Sequence, residues 1–504
     1  MNEVKMNLDW RQYDIRWIAV AASLALSVFT LLLQEIPNAD AYTYVRTAEI
    51  FLADGIVAAY QHYSWASYSI LIGLVSLTGM DMFSAGLFVN ALFYALLVYA
   101  FLSIVVQIDN SKELLVVAAI SILVYPQLNE YRDLLIRDIG FWALAVAALW
   151  QYMLYANDQS LKSAIAFCAC LLLATLFRAE AAVYLVCTPL ALLFDARIEK
   201  QQRKTLLLRV YAIVASLSLG LLLCLSLIGL NITQLFIEFT SIYEPFISGN
   251  FTLTDEERAL LGSLLFSDYA STFSREYIEL FLLAGMISIL LANLLTGIGG
   301  PYLILMAVGL FKGQLRLPPG ISTPVVFYLC ANFLILLSFI IVTRYLSSRY
   351  AMLMSILLVL FVPTIISGLL NNAKQAGRRS TFYIVAIFFG YCAIDSYISF
   401  GKPKTYVDES IEWLAENTGA SAQLITNNHA IAYFSGKIED YDLIERNLTA
   451  EEILTSDAGD TIAAELTFET RTLLERAEIA EQISLLATFP DTEAPRIAVF
   501  EKID

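Results

Sequence analysis

The sequence predicts an all-α polytopic membrane protein with a small soluble domain at its C-terminal end. Three observations carry this. Of the 504 residues, 58% are hydrophobic and only 15% are charged, against about 25% charged in a soluble domain, and mean hydropathy is +0.67. Runs without a charge recur at Trp17–Leu33, Met82–Val106, Ile139–Asn157, Val210–Leu230, Thr323–Val342 and Ala351–Leu370, each near the ~20 residues that a helix needs to cross hydrocarbon. From Gly401 onward the composition turns polar, with 21 acidic residues against 8 basic. The expected division is a membrane domain over residues 1–400 and an acidic soluble domain over 401–504.

The first run, Trp17–Leu33, has no small-residue cleavage site after it and is followed by many similar runs. It therefore reads as a span and not as a signal peptide. Orientation follows from the basic residues, which stay on the cytoplasmic side. Lys5, Arg11 and Arg16 precede the first run, "DARIEKQQRKTLLLR" (Asp195–Arg209) is the densest cluster, and Lys312, Arg316 and "NNAKQAGRR" (Asn371–Arg379) mark two more loops. Placing all of them inside gives about 11 transmembrane helices. It requires Trp65–Thr78 and Tyr277–Thr296 to lie at the interface or re-enter. The outer face then carries Glu35–Ser64, Tyr125–Asp138, Asn231–Glu276, the Arg344–Tyr350 junction and the C-terminal domain.

In the first outer loop, "IPNADAYTYVRTAEIFLADG" (Ile36–Gly55) places Asp40, Tyr44, Ala48, Leu52 and Gly55 at steps of three or four. That is one face of a short helix along the membrane surface, ended by a glycine. Asp40 and Tyr44 read either as a solvated N-cap with an interfacial anchor or as working groups. The second outer piece, "YPQLNEYRDLLIRDIG", carries Glu130, Arg132, Asp133, Arg137 and Asp138, with Asp138 at the mouth of the next apolar run. It is either a solvated turn with an aspartate on a helix dipole or a cluster with a function.

Further on, "LLATLFRAEAAVYLV" places Arg178 and Glu180 between two short apolar runs. A charge at bilayer depth costs a few kcal/mol and is usually paired or functional. Arg178 therefore belongs either in a salt bridge or on a phosphate, whose oxygens its planar fork binds two at a time. Finally, "TRYLSSRYAML" holds Arg344 and Arg349 outside, against the positive-inside trend, and such a pair wants an anionic partner. No GxxxxGK or GxGxxG loop is present, so a nucleotide donor is not indicated. A group transfer outside the cell must then draw on a donor held by lipid.

The net charge of −16 does not favour nucleic acid. All six cysteines (Cys168, Cys170, Cys187, Cys224, Cys330, Cys392) lie in apolar runs without metal-ligand spacing, and the two histidines, His62 and His429, exclude a His-rich metal site. The order of Asp40 with its helical stripe, "RDIG", "FRAE" and "RYLSSRY" resembles the lipid-phosphosugar-dependent glycosyltransferases of the GT-C fold. The nearest resemblance is to protein O-mannosyltransferases and bacterial aminoarabinose transferases, over about residues 10–400.

The resemblance implies a GT-C-like membrane domain and a chain in the inner (cytoplasmic) membrane of a bacterium, with its active site and a periplasmic C-terminal domain outside. It implies an inverting transfer of a sugar from a polyprenyl phosphate to a hydroxyl of a lipid, glycan or protein of the cell envelope. By the same resemblance Asp40 is the catalytic base and Asp138, or Asp133, the second acidic residue. Tyr44, Arg137, Arg178, Glu180, Arg344 and Arg349 are expected to bind substrate. The chain departs from the family at Ala41, where many members carry a second acid. No metal ligand or cofactor is assigned, and a divalent cation is left open. Two other readings are kept: an O-antigen polymerase or ligase type of enzyme, and a non-enzymatic transporter. The first expects a histidine in the large late loop, and the second expects internal repeats; the sequence offers neither.

Overall fold

A computed structural model describes residues 14–33, 36–241, 244, 253–266, 277–314, 317–398, 405–419, 422–490 and 493–503. Lys5, Arg11, Glu35, Pro245, Arg275 and Arg316 lie outside the described residues. The chain divides into two compact units. One comprises Met1–Phe29, Phe88–Arg132 and Arg137–Ile398, and the other Thr30–Leu87, Asp133–Ile136 and Ser399–Asp504.

Helices follow one another along the chain as α1 (Ile15–Leu33), α2 (Ala39–Asp54), α3 (Ile56–His62), α4 (Ser67–Ser76), α5 (Met82–Ile108), α6 (Lys112–Leu123), α7 (Pro126–Asn129), α8 (Asp138–Asp158), α9 (Leu161–Thr175) and α10 (Ala181–Cys187). They continue as α11 (Lys200–Leu227), α12 (Ile232–Ser241), α13 (Asp255–Leu265), α14 (Ile278–Ile298), α15 (Gly300–Phe311), α16 (Pro319–Thr343), α17 (Ser348–Val359), α18 (Val362–Gln375) and α19 (Ser380–Tyr397). Among the described residues 8 helices are long and apolar enough to cross a membrane, and Ser67–Ser76, Leu161–Thr175, Ala181–Phe194 and Gly300–Phe311 are shorter apolar helices. The chain is a multi-pass membrane protein.

Trp65–Thr78, expected to be too short to cross, forms only the 10 residues of α4. The other segment expected at the interface is different. It forms α14, a helix of 21 residues that is long and apolar enough for a crossing. The reason is the position of the break. Gly299, at φ +80°, ends α14 only after its full length and starts α15 at Gly300–Pro301.

Within the first unit, buried tyrosines supply donors where no water would. Tyr94, Tyr155, Tyr302 and Tyr328 donate to the carbonyls of Leu128, Leu206, Ser121 and Ala145, and Tyr125 does so to Gly297. Each hydroxyl closes a polar group that would otherwise cost free energy in an apolar interior. A small core of Met286, Leu290 and Leu294 from α14 meets Leu336 and Ile340 from α16 and Ala351 from α17.

The second unit holds the first-loop helices α2–α4 and the C-terminal α/β domain. That domain runs α20 (Thr405–Asn417), β1 (Leu424–Thr426), α21 (His429–Ser435), α22 (Ala450–Leu454), β2 (Thr461–Glu465), α23 (Phe468–Leu474), α24 (Ala477–Ala480), β3 (Ile483–Phe489) and β4 (Ile497–Lys502). The sheet order is β1-β2-β4-β3, with β1 parallel to β2 and the other pairs antiparallel. Strand β2 shows why both faces are covered. Ala463 joins one core with Val407, Leu414 and Val499, while Ile462 and Ala464 join a second with Ile453, Leu473 and Ile479. That is the period of two expected of a strand.

Candidate functional site

In the first unit α8 runs out from Asp138 and α9 returns antiparallel beside it. The turn after α9, residues 176–180, thereby comes back to the N-terminus of α8. Gly140 allows the close approach, because a Cβ there would lie 2.7 Å from the ring of Phe177. The turn delivers Arg178 to Asp138. Arg178 Nη1 donates to Asp138 Oδ1, while Nη2 and Nε donate to Glu180 Oε1 and Oε2 at 2.6 and 3.3 Å. Side-chain exposures of 10% for Arg178, 3% for Asp138 and 15% for Glu180 make this a buried triad.

Burial acts against the charge on Arg178, but the two carboxylates outweigh it and hold the guanidinium protonated more firmly than usual. For Glu180 burial pushes the pKa up. The charge and hydrogen bonds of Arg178 push it down further, with Arg137 adding to them, so the carboxyl sits below its ordinary range. The guanidinium lies 4.3 Å from the ring centre of Tyr350, and Arg349 stacks on the same ring at 5.4 Å. Of the five N–H donors of Arg178, three bond the carboxylates, and two remain.

A narrow cleft opens beside this triad, lined by Phe141, Arg178, Glu180, Tyr184, Asn332 and Tyr350 among others. It has room for only about one or two water molecules before side chains move. Asn332, 3% exposed, donates through Nδ2 to the Tyr184 hydroxyl. Its Oδ1 has no hydrogen-bond partner among the described residues. The cleft therefore offers a cation, an unsatisfied amide oxygen and aromatic walls.

Both carboxylates are already bonded to Arg178, and among the described residues no three His, Cys, Asp or Glu side chains gather closely enough to hold a metal.

Arg344 has no bond to the triad among the interactions described. It caps α16 in the left-handed conformation at φ 57° and sets Nη1 2.9 Å from the sulfur of Met286. In the second unit, Asp40 stands in the first turn of α2, behind Asn38 in extended conformation. Tyr44 is 4% exposed and meets Tyr63 and Tyr68 edge-on at 5.9 and 5.0 Å, so it is packed inside the unit. Tyr184, Asn332 and Tyr350 were not singled out from the sequence as binding residues. Only Tyr350 carried a signal, its place next to Arg349.

No family model matches the sequence, and no curated protein is similar to it. Among solved structures, the chain is similar to the archaeal oligosaccharyltransferase AglB from Archaeoglobus fulgidus, in complex with an inhibitory peptide and a dolichol-phosphate. The TM-score is 0.53 at 13% identity, covering 89% of this chain and 69% of that one. At that identity the likeness concerns the fold, and the fold is GT-C-like, a polytopic helical membrane domain with a small α/β domain.

Proposed function

We propose that the protein is an inverting glycosyltransferase that moves a sugar from a polyprenyl phosphate to an acceptor hydroxyl at the outer face of the cytoplasmic membrane. The observation that carries this reading is the buried Arg178, held by two carboxylates at the edge of a cleft in a GT-C-like fold. The dolichol-phosphate bound by AglB supports a polyprenyl phosphate as carrier.

As the glycosidic bond breaks, negative charge gathers on the departing phosphate. The two remaining donors of Arg178 are pre-oriented to stabilise it, which raises the rate because the site need not reorganise. Asp138 and Glu180 hold the guanidinium in place. Asp40 takes the proton from the acceptor hydroxyl as it attacks the anomeric carbon. A single displacement on the face opposite the phosphate inverts the configuration and needs no covalent intermediate. The acceptor keeps the sugar, and the proton remains on Asp40 until it exchanges with water.

The test uses the purified chain in detergent, a polyprenyl-phosphate sugar and a panel of lipid, glycan and peptide acceptors. Wild type should transfer with inversion. Asp40→Asn should accumulate normally and lose at least about 10²-fold in kcat, as expected on removing a general base. Unchanged product from Asp40→Asn removes the assignment. Flux of a solute into vesicles without lipid-linked sugar would instead indicate a transporter.

A further inference from the structure

Within the second unit α2 presents two faces. Tyr44 and Ala48 are buried with α4, where the Cβ position of Gly73 approaches Phe51 and the Ala48 carbonyl. A different stripe, Tyr42, Arg46 and Glu49 at steps of four and three, meets the C-terminal α/β domain. Tyr42 is 1% exposed and belongs to the same core as Val407, Leu414, Ile431 and Val499. Its ring stacks on His429 at 5.9 Å and meets Phe83, Tyr433 and Tyr441 at 5.6, 5.8 and 6.4 Å. A first-loop side chain thereby completes the core of a domain that begins more than 350 residues later.

A polar rim surrounds this plug. Arg46 Nη2 lies 3.5 Å from Asp440 and 3.8 Å from Glu439, and the Tyr441 hydroxyl donates to Glu49 at 2.9 Å. From α3, His62 Nε2 is 2.7 Å from Asp442 Oδ2, whose side chain is 1% exposed. The two histidines of the chain thus both serve this junction. Three buried polar atoms here, Tyr42 Oη, Arg46 Nε and Asp442 Oδ1, have no hydrogen-bond partner among the described residues. Each costs free energy, so the grip is weaker than an apolar contact of the same shape.

We propose that the C-terminal α/β domain is a releasable clamp on α2, with Tyr42 and Asp442 as positioning residues for Asp40. The inference rests on the reading of Asp40 as the base. Asp40 is two residues before Tyr42, roughly 200° around the helix. Gripping α2 by its Tyr42 face fixes the rotation and tilt of the helix that carries Asp40. The domain contributes no reacting group and acts through α2 and, by way of His62, through the adjoining α3.

The experiment uses the full chain in detergent and two readouts: hydrogen exchange across residues 39–54, and kcat and KM for the lipid donor. Tyr42→Ala and Asp442→Leu should each speed exchange across 39–54 by about tenfold. Each should lower kcat by about tenfold while leaving the donor KM within about twofold. Tyr42→Phe, which keeps the ring and removes the unsatisfied hydroxyl, should hold exchange at or below the wild-type rate and keep kcat. Asp442→Asn should do the same through the retained bond to His62. Where Tyr42→Ala does not accumulate, Asp442→Leu leaves the aromatic core in place and gives the same two readouts. Unchanged exchange in 39–54 overturns the clamp, and so does faster exchange with unchanged kcat. If Asp40→Asn retains activity, the reading of the reaction fails on its own, and the exchange measurement still decides whether the domain grips α2.

Discussion

Removing Arg178 separates a structural triad from a working one. Arg178→Met leaves Asp138 and Glu180 with side-chain exposures of 3% and 15% and without their shared cation. Breaking a buried pair from one side costs about 3–5 kcal/mol, a large share of the ~5–15 kcal/mol that stabilises a typical domain. Neutralising all three groups together with apolar residues of similar volume, as Asp138→Leu, Arg178→Met and Glu180→Met, removes the stranded charges. Such replacements are often neutral or stabilising, so the triple variant should unfold within a few degrees of wild type. Its activity should not recover. A preorganised donor on a developing oxyanion is worth about 10²–10³ in kcat, or ~2.7–4 kcal/mol, and the triple variant should lose at least that. Unfolding can be followed by a thiol-reactive dye through the buried free thiols of Cys168 and Cys392, with initial transfer rates measured on the same samples. A stable triple variant with kcat within about twofold of wild type would refute a role for the guanidinium in the reaction and leave the triad as packing.

Three further outcomes follow from the same geometry. Because Glu180 is held below its ordinary range by Arg178, its stabilising contribution is present above the unfolded value of about 4.3. That contribution is lost as pH falls through the folded value. The thermal midpoint of wild type should therefore drop more steeply than that of Glu180→Gln below about pH 4.3, and parallel curves would contradict the pairing. Gly140→Leu should push the 176–180 turn off α8, since even a Cβ meets Phe177 at 2.7 Å. The expected result is a fall in kcat of about tenfold or more with the protein still folded, measured by transfer rate and gel filtration. Gly299→Ala should cost about 1–3 kcal/mol for a positive-φ, extended backbone that is essentially confined to glycine, and its Cβ would also press on the Gln127 side chain. Gly300→Ala, with nothing within 4 Å of its Cβ, should change the midpoint little.

How much of this could be read from the sequence depended on the distance over which each interaction acts. The apolar runs marked the long helices because crossing length is a local property. The charge rule weighs loops, whereas the length of α14, enough for a crossing, is set by where Gly299 turns the backbone. Arg178, Glu180 and Asp138 were each visible as ionisable residues next to apolar runs, and a salt bridge was one of the two readings for Arg178. That one guanidinium would take both carboxylates depended on Gly140 and the α8–α9 hairpin, which only packing reveals. On α2 the stripe through Tyr44 and Ala48 is buried as its spacing suggested, whereas Leu52 is 40% exposed. The stripe through Tyr42, Arg46 and Glu49 escaped notice for a physical reason. It mixes an aromatic ring with two charges, so it has no apolar period, and its complement is the acidic Glu439–Asp442 stretch nearly 400 residues away. The balance of −13 in the tail reads as ordinary solubility until those few carboxylates are seen beside Arg46 and His62. A surface whose pattern is complementary only to a distant segment leaves no periodic trace, and in this chain such a surface governs the helix that bears Asp40.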